Sequence, residues 1–167
     1  MKIKVGLGYD IHRLIENRPL YLGGILIPFH KGLIGHSDGD CLIHAIVDAL
    51  LGAMGERDIG QHFSDSDPRN EGRRSTEILD VVSGWLEERG FQVEQIDTVI
   101  IAEEPKLNPY VSAMKESLGS RLMISREDIG IKIKTNEGLD AIGRGEAIAA
   151  WATVVLNRRG GDKKNDG

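Results

Sequence analysis

The sequence predicts an α/β (α+β) chain in two layers, with a mixed β-sheet and helices packed on one face. Two observations carry that reading: strand-like and helix-like runs alternate along the chain, and the apolar period switches between two and about 3.6 residues as they do. One domain is expected over residues 1–158, followed by a polar, glycine-rich tail over 159–167 that we expect to be disordered.

Ile3, Val5, Leu7 and Tyr9 alternate with Lys4, Gly6 and Gly8, the period of a strand. Leu20-Tyr21-Leu22 meets Ile25-Leu26-Ile27 across Gly23-Gly24, a two-glycine hairpin signal. The loop His36-Ser37-Asp38-Gly39-Asp40 is rich in capping residues. It feeds Leu42, Ile43, Ile46, Val47, Leu50 and Leu51 at helical spacing, predicting a helix from Asp40 to Met54. Gly55 to Arg74 is polar and aperiodic; loops of that length are usually functional or disordered.

A second helix starts near Ser75, places Ile78, Leu79, Val82, Trp85 and Leu86 on one face, and stops at Gly90. Asp97 to Ala102 reads as a buried strand from its β-branched content. Pro109 to Leu118 predicts a third helix, with proline in its first turn. Ile129, Ile131 and Ile133 alternate with Gly130, Lys132 and Lys134, another strand. From Glu146 to Leu156 the alanines favour helix while Thr153, Val154 and Val155 favour strand; we read strand.

The net charge of −5 and the lack of a basic run argue against nucleic-acid binding, which needs a clustered basic face. An acidic protein that handles anions needs metal cations or aimed backbone N–H groups. The single cysteine, Cys41, excludes an internal disulfide and a cysteine zinc cluster, and fits a reducing compartment. No apolar run reaches the ~18 residues of a membrane span, and the first residues lack the apolar core of a signal peptide. A cytoplasmic location without membrane partners is the expectation.

Asp10 and His12 are two apart on a strand and leave the same face. His44 and Asp48, four apart on a helix, also share a face. One aspartate and two histidines suit a catalytic zinc ion with an open fourth position. The plainer reading is that D-x-H tripeptides are common and that a histidine in an apolar helix is a satisfied core residue. Gly6-Leu7-Gly8 is no dinucleotide fingerprint, because the third glycine and the following helix are missing.

The N-terminus of the helix after His36–Asp40 is a ready phosphate site. Ser37, Asp38 or Asp40 can equally serve as a cap, but His36 could donate to a phosphate. Asp58-Ile59-Gly60 and Asp65-Ser66-Asp67 sit in the acidic loop, where solvated charge is the plain alternative; His30 and His62 read as surface residues. Glu137, after Thr135-Asn136, could hold a hard cation, and Arg144 between two glycines could contact an anion.

Taken in order, these pieces resemble one family. They are G-Y-D-I-H at Gly8–His12, H-S-D-G-D at His36–Asp40, H-A-I-V-D-A-L-L-G-A at His44–Ala53, and D-I-G at Asp58–Gly60. F-S-D-S-D-P at Phe63–Pro68, A-E-E-P-K at Ala102–Lys106 and G-R-G-E at Gly143–Glu146 complete the set. The chain resembles the 2-C-methyl-D-erythritol 2,4-cyclodiphosphate synthase family over about Ile3 to Asn157. That family is a phosphorus–oxygen lyase of non-mevalonate isoprenoid biosynthesis. It converts 4-diphosphocytidyl-2-C-methyl-D-erythritol 2-phosphate into a cyclic diphosphate and CMP.

The resemblance implies one zinc per chain on Asp10, His12 and His44, with Asp48 a partner beneath it, and magnesium or manganese on Glu137. It implies that His36 and Thr135 steady the transition state. Ser37, Asp58, Gly60 and Asp65 would face the methylerythritol phosphate, and Ile59, Phe63 and Asp67 would also bind substrate. Ala102, Glu103, Glu104, Pro105 and Lys106 would hold cytosine and the diphosphate, and Lys134, Asn136, Ala141 and Arg144 would also bind substrate. The family works as a homotrimer with sites between subunits, so a trimer is expected too. Asp140, Ala141, Asn136 and Glu71 depart from the usual residues; the first two put in doubt the local loop and an apolar contact near Arg144. Two rivals are a two-metal phosphohydrolase and a non-catalytic nucleotide or prenyl-phosphate binding protein.

Overall fold

The computed structural model describes residues 3–64, 66–70 and 72–158. Asp65, Glu71 and the expected tail lie outside the described residues. The chain runs β1 (Ile3–Glu16), β2 (Leu20–Leu22), β3 (Ile25–Ile27), β4 (Lys31–Leu33), α1 (Cys41–Met54), α2 (Ile59–His62), α3 (Ser75–Glu88). It continues as β5 (Phe91–Ile101), α4 (Val111–Leu122), β6 (Ile129–Lys134), α5 (Asp140–Gly143) and β7 (Ala147–Arg158). Five strands form one mixed sheet in the order β4-β1-β7-β5-β6, and β2 pairs with β3 alone. The β5–β6 pair is parallel; β1–β4, β1–β7 and β5–β7 are antiparallel. No helix among the described residues is long and apolar enough to cross a membrane.

The contact of α1 with β1 organises the core. An added Cβ on Gly6 would lie 1.8 Å from the Ala49 carbonyl oxygen, and one on Gly8 1.9 Å from that of Ala45. Backbone therefore meets backbone there, and only glycine on the strand permits it. Leu42, Ile43, Ile46, Leu50 and Leu51 are fully buried beside them, packed with Leu79 and Val82 of α3 and Ile96, Ile100 and Val154 of the sheet.

The ambiguous C-terminal segment is a strand, paired with β1 on one side and β5 on the other. Its alanines answer to packing rather than to helix propensity. Ala150 and Ala152 join the main core, while Ala147 and Ala149 make room for Ile142 of α5 on the other face. The Gly23-Gly24 hairpin forms as expected, with φ of 59° and 78° at its two glycines, as a tight primed turn requires.

Other elements differ from expectation. β1 runs on past Tyr9 because β7 pairs with it as far as Arg13 and β4 takes up Leu14–Glu16. β5 starts at Phe91 rather than Asp97, through a register shift between Val93 and Gln95. The third helix extends to Leu122 after a single 3-10 turn at Asn108–Tyr110. The polar loop contains the short α2, capped by Asp58, whose carboxylate accepts from the Gln61 N–H. Helices α1, α3 and α4 lie on one face as expected, but α5 lies against the opposite face.

That opposite face is otherwise bare. Ile3, Val5, Leu7, Tyr9 and Ile11 of β1 and Trp151 of β7 point outward, with Val5 66% and Leu7 62% exposed. The Tyr9 and Trp151 rings meet across the ladder with centroids 4.5 Å apart.

Asp40 ties the hairpin to α1. Its buried carboxylate accepts from the N–H groups of Gly23 (3.0 Å), Gly24 (2.7 Å) and Ile43 (3.0 Å), the last being the helix N-cap bond. Replacing Asp40 with Ala orphans those N–H groups and should cost about 3 kcal/mol. The expected outcome is a lower urea midpoint at an unchanged denaturant slope.

Candidate active site

Asp10 and His12 leave β1 on the helix-covered face, and His44, in the first turn of α1, meets them. His12 Nε2 is 2.8 Å from Asp10 Oδ2, His44 Nδ1 is 2.9 Å from the same oxygen, and the two nitrogens are 3.1 Å apart. These residues can hold a metal ion. Tetrahedral zinc with bonds of ~2.0–2.1 Å separates its ligands by roughly 3.3 Å, so the triangle need open only slightly.

The outer ring nitrogens show which lone pairs face inward. His12 Nδ1 donates to the Ile34 carbonyl at 2.6 Å, leaving Nε2 to face Asp10. His44 Nε2 lies 2.8 Å from Ser75 Oγ, which itself donates to Asp38 Oδ1 at 2.5 Å. An ionised Asp38 only accepts, so this network assigns the His44 proton to Nε2 and its lone pair to Nδ1. Two imidazole lone pairs and a carboxylate then face one another, which a shared cation relieves. Asp38 is in turn held by Arg74 Nε at 3.0 Å, with the Arg74 guanidinium 4.1 Å above the Tyr21 ring.

Burial pushes the Asp10 carboxyl up, yet hydrogen bonds and charge from His12 and His44 draw it well below the usual carboxylate range. Burial lowers His12, but the Asp10 hydrogen bond and charge and the Ile34 carbonyl leave it above the ordinary imidazole value.

A cleft of about 230 Å³ opens over this centre. Asp10, His12, His36, Ser37 and His44 line one side, and Ile59, Gly60 and Phe63 the other. The Phe63 ring stacks on Trp85 (5.7 Å) and carries Arg73 on its other contact (5.5 Å). Asp58 does not line the cleft; it caps α2 beside a neighbouring depression that includes Tyr9 and Asp48. Asp67 pairs with Arg69 at 2.7 Å and also lies off the cleft lining. The Asp48 carboxylate accepts from the Ile59 N–H at 2.7 Å and holds α2 while interacting electrostatically with Asp10 and His44; the hydrogen bonds to the His44 ring come from Ser75 and Ser37.

The remaining expected residues gather elsewhere, past the C-terminal ends of β5 and β6. Ala102 N–H donates to the Lys134 carbonyl at 2.9 Å. Glu103 accepts from the Asn136 N–H at 2.7 Å and the Gly138 N–H at 3.3 Å. Asn136 Nδ2 donates to Asp140 at 2.8 Å, so two departing residues brace each other. Arg144 pairs with Glu146 at 2.8 Å. Glu104, Pro105, Lys106, Thr135, Glu137 and Ala141 belong to the same loops. β7 and β5 separate this group from β1, roughly 14 Å across the sheet at ~4.8 Å per strand. Ile131 and Ile133 face the core, so Lys134 points to the opposite face from the metal site.

Ser75 and Asp38 were missed as partners of the centre. Ser75 read only as a helix start, and no spacing signal joins positions 31 residues apart in the chain.

Fold and site define an α/β protein with a carboxylate–imidazole centre, able to hold a metal ion, at a helix N-terminus. The chain belongs to the YgbB family, whose model matches residues 3–157. It is 47% identical to the 2-C-methyl-D-erythritol 2,4-cyclodiphosphate synthase of Pelotomaculum thermopropionicum over 95% of this chain and 98% of that protein. A solved 2C-methyl-D-erythritol-2,4-cyclodiphosphate synthase with CDP bound superposes with a TM-score of 0.86 at 43% identity, covering 92% of this chain and all of that one. The bifunctional IspDF of Campylobacter jejuni superposes at 0.90 and 38% identity, covering 95% of this chain but 43% of that larger one.

Removing the Ser75 hydroxyl frees the His44 ring, and losses of such partners weaken metal binding by about 10–100-fold. Titrating metal-free Ser75→Ala with zinc against a competing chelator should show that loss, and Ser75→Thr should not. Metal binding also requires neutral imidazoles. A raised His12 holds its proton to higher pH, so metal affinity should fall on acidification from above the ordinary imidazole range of about 6.5. Potentiometric zinc titration across pH measures where that bend lies.

Proposed function

We propose that this chain converts 4-diphosphocytidyl-2-C-methyl-D-erythritol 2-phosphate into 2-C-methyl-D-erythritol 2,4-cyclodiphosphate and CMP. The observation that carries the reading is the Asp10–His12–His44 triangle in its cleft, in a chain that resembles such synthases from end to end. A 2-phosphate oxygen of the substrate forms a bond to the β-phosphorus, and the bond from that phosphorus to the bridging oxygen breaks. CMP leaves with that oxygen, so no protein nucleophile is required.

A zinc ion on Asp10, His12 and His44 and a magnesium or manganese ion on Glu137 would neutralise phosphate charge and polarise the β-phosphate. The chain's own work is positioning, the main demand of phosphoryl transfer. His36 and Ser37, on the cleft wall, orient the phosphates beside the α1 N-terminus, and Thr135 steadies the same group from the second cluster. Ile59, Gly60 and Phe63 enclose the methylerythritol, with Asp58 and Asp67 at its approaches; the family resemblance assigns Asp65 to the same group. Ala102–Lys106, Lys134, Asn136, Ala141 and Arg144 hold the cytidine diphosphate.

The active unit we propose is a homotrimer of one-domain chains, cytoplasmic, with sites between subunits. Two features support it. Lys134 lies on the opposite face of the sheet from Asp10, His12 and His44, and the second cluster sits past the ends of β5 and β6, roughly 14 Å from β1 across the sheet, so the two clusters are apart within one chain. The bare row Ile3, Val5, Leu7, Tyr9 and Ile11 is an apolar face of the kind that subunits cover.

Incubating the protein with the diphosphocytidyl substrate should release CMP and a cyclic product. Free phosphate carrying solvent oxygen would indicate a phosphohydrolase, and CMP binding without turnover a binding protein. His36→Ala should keep its zinc and lose more than about tenfold in kcat, over 1.4 kcal/mol of transition-state stabilisation.

Shared sites make a further prediction. Co-refolding a His44→Ala chain with a Glu137→Ala chain pairs a sound metal half with a sound neighbour half in about one interface in four. Up to roughly a quarter of parental activity should return, against none in the unmixed controls. Mixed trimers that form, as native mass spectrometry shows, yet stay inactive would place the whole site in one chain.

A further inference from the structure

We propose that Arg18, which lies outside the cleft lining, is a positioning residue that locks the segment carrying His36 and orients both histidines of the metal centre. The chain turns at Asn17, whose φ is 60° and whose N–H donates to the His30 carbonyl at 3.0 Å. The next two residues press on β4 so closely that a Cβ at Gly32 would lie 2.2 Å from the Pro19 carbonyl oxygen and 2.5 Å from that of Arg18. From this fixed base the side chain reaches past the end of β4 into the loop before α1. Arg18 Nε donates to the Leu33 carbonyl at 2.6 Å, and Nη2 donates to those of Ser37 at 2.9 Å and Gly35 at 3.3 Å.

A planar guanidinium holds several carbonyls that converge from one strand end in a fixed fork of donors; an ammonium has three donors but on a flexible stem that fixes no such geometry. Without it, those partial negative charges would face one another and the loop would turn them to water. Other hydrogen bonds also tie the loop, among them Ile34 N–H to the Arg13 carbonyl (2.9 Å), Gly72 N–H to that of His36 (2.8 Å), and Gly39 N–H to Ser37 Oγ (3.3 Å).

What the clamped segment delivers reaches the metal centre twice. The Ile34 carbonyl, between two clamped residues, fixes the His12 ring through Nδ1. Ser37 Oγ, on the last of them, lies 3.1 Å from His44 Nε2. Between them His36 is set on the cleft wall. One arginine therefore aligns the acceptors behind both imidazoles. The argument rests on the metal reading for its affinity consequence alone; the loop clamp stands on geometry.

The test uses the full chain with Arg18→Ala and Arg18→Lys, zinc as the probe, and amide hydrogen exchange as a metal-independent readout. Arg18→Ala should weaken zinc binding by about tenfold or more, the size of effect seen when a ligand's hydrogen-bonded support is removed. Exchange should quicken at residues 33–37 while α1 keeps its protection. Millimolar guanidinium should restore part of the zinc affinity to Arg18→Ala, whereas Arg18→Lys should recover little. Unchanged exchange at 33–37 would overturn the clamp, and so would a rise shared equally by α1, which marks general loosening. Zinc affinity unchanged in a variant whose parent binds zinc would overturn the link to the histidines. A parent that binds no zinc would instead refute the metal reading and leave the exchange result to judge the clamp. Should Arg18→Ala fail to fold, Arg18→Lys decides on the same two readouts.

Discussion

Everything at the site depends on how closely α1 approaches β1. Because Gly6 and Gly8 carry no side chain, the carbonyls of Ala45 and Ala49 come to where Cβ atoms would otherwise stand. His44 precedes Ala45 on the helix, and Asp10 and His12 follow Gly8 on the strand, so the same contact that closes the core sets the distances among the three donors. A methyl group on either glycine would push the helix outward and open the triangle before it touched any donor. Packing and chemistry are one constraint here.

The centre is also held from behind. Each imidazole spends its outer nitrogen on a partner supplied by a separate part of the chain: the Ile34 carbonyl for His12, and Ser75 with Asp38 for His44. These bonds choose which lone pairs converge, and so turn a cluster of three polar side chains into a site for a cation. The chain's formal charge of −5 suits that arrangement, since an acidic surface repels polyphosphates unless cations and backbone dipoles mediate. The N-terminus of α1 and the metal centre put both devices at the same place.

The sheet divides the chain's polar equipment between its two faces. The metal donors lie with the large helices; Lys134 and the loop bearing Glu137 belong with the bare face and α5. The Asn136–Asp140 bond braces that second loop. The apolar face left open on one side of the sheet is the surface on which the proposed subunit contact rests.

Much of this was legible in the chain itself. Period-two and helical patterns located β1, α1, α3 and β6, the paired glycines marked the β2–β3 turn, and ordered motifs picked out Asp10, His12 and His44. Those are local signals, because side-chain direction follows from residue spacing once an element's type is known. What the tertiary structure alone decided was anything that needed two distant segments at once. It set the alanine-rich β7, already legible as a strand, at the centre of the sheet, where its small residues answer to α1 and α5. It bonded Asp48 to the start of α2, brought Ser75 and Asp38 behind the metal centre, and aimed Arg18 at three carbonyls at and after the end of β4. A sequence states which residues can donate and accept, but only the folded backbone fixes which donor reaches which acceptor.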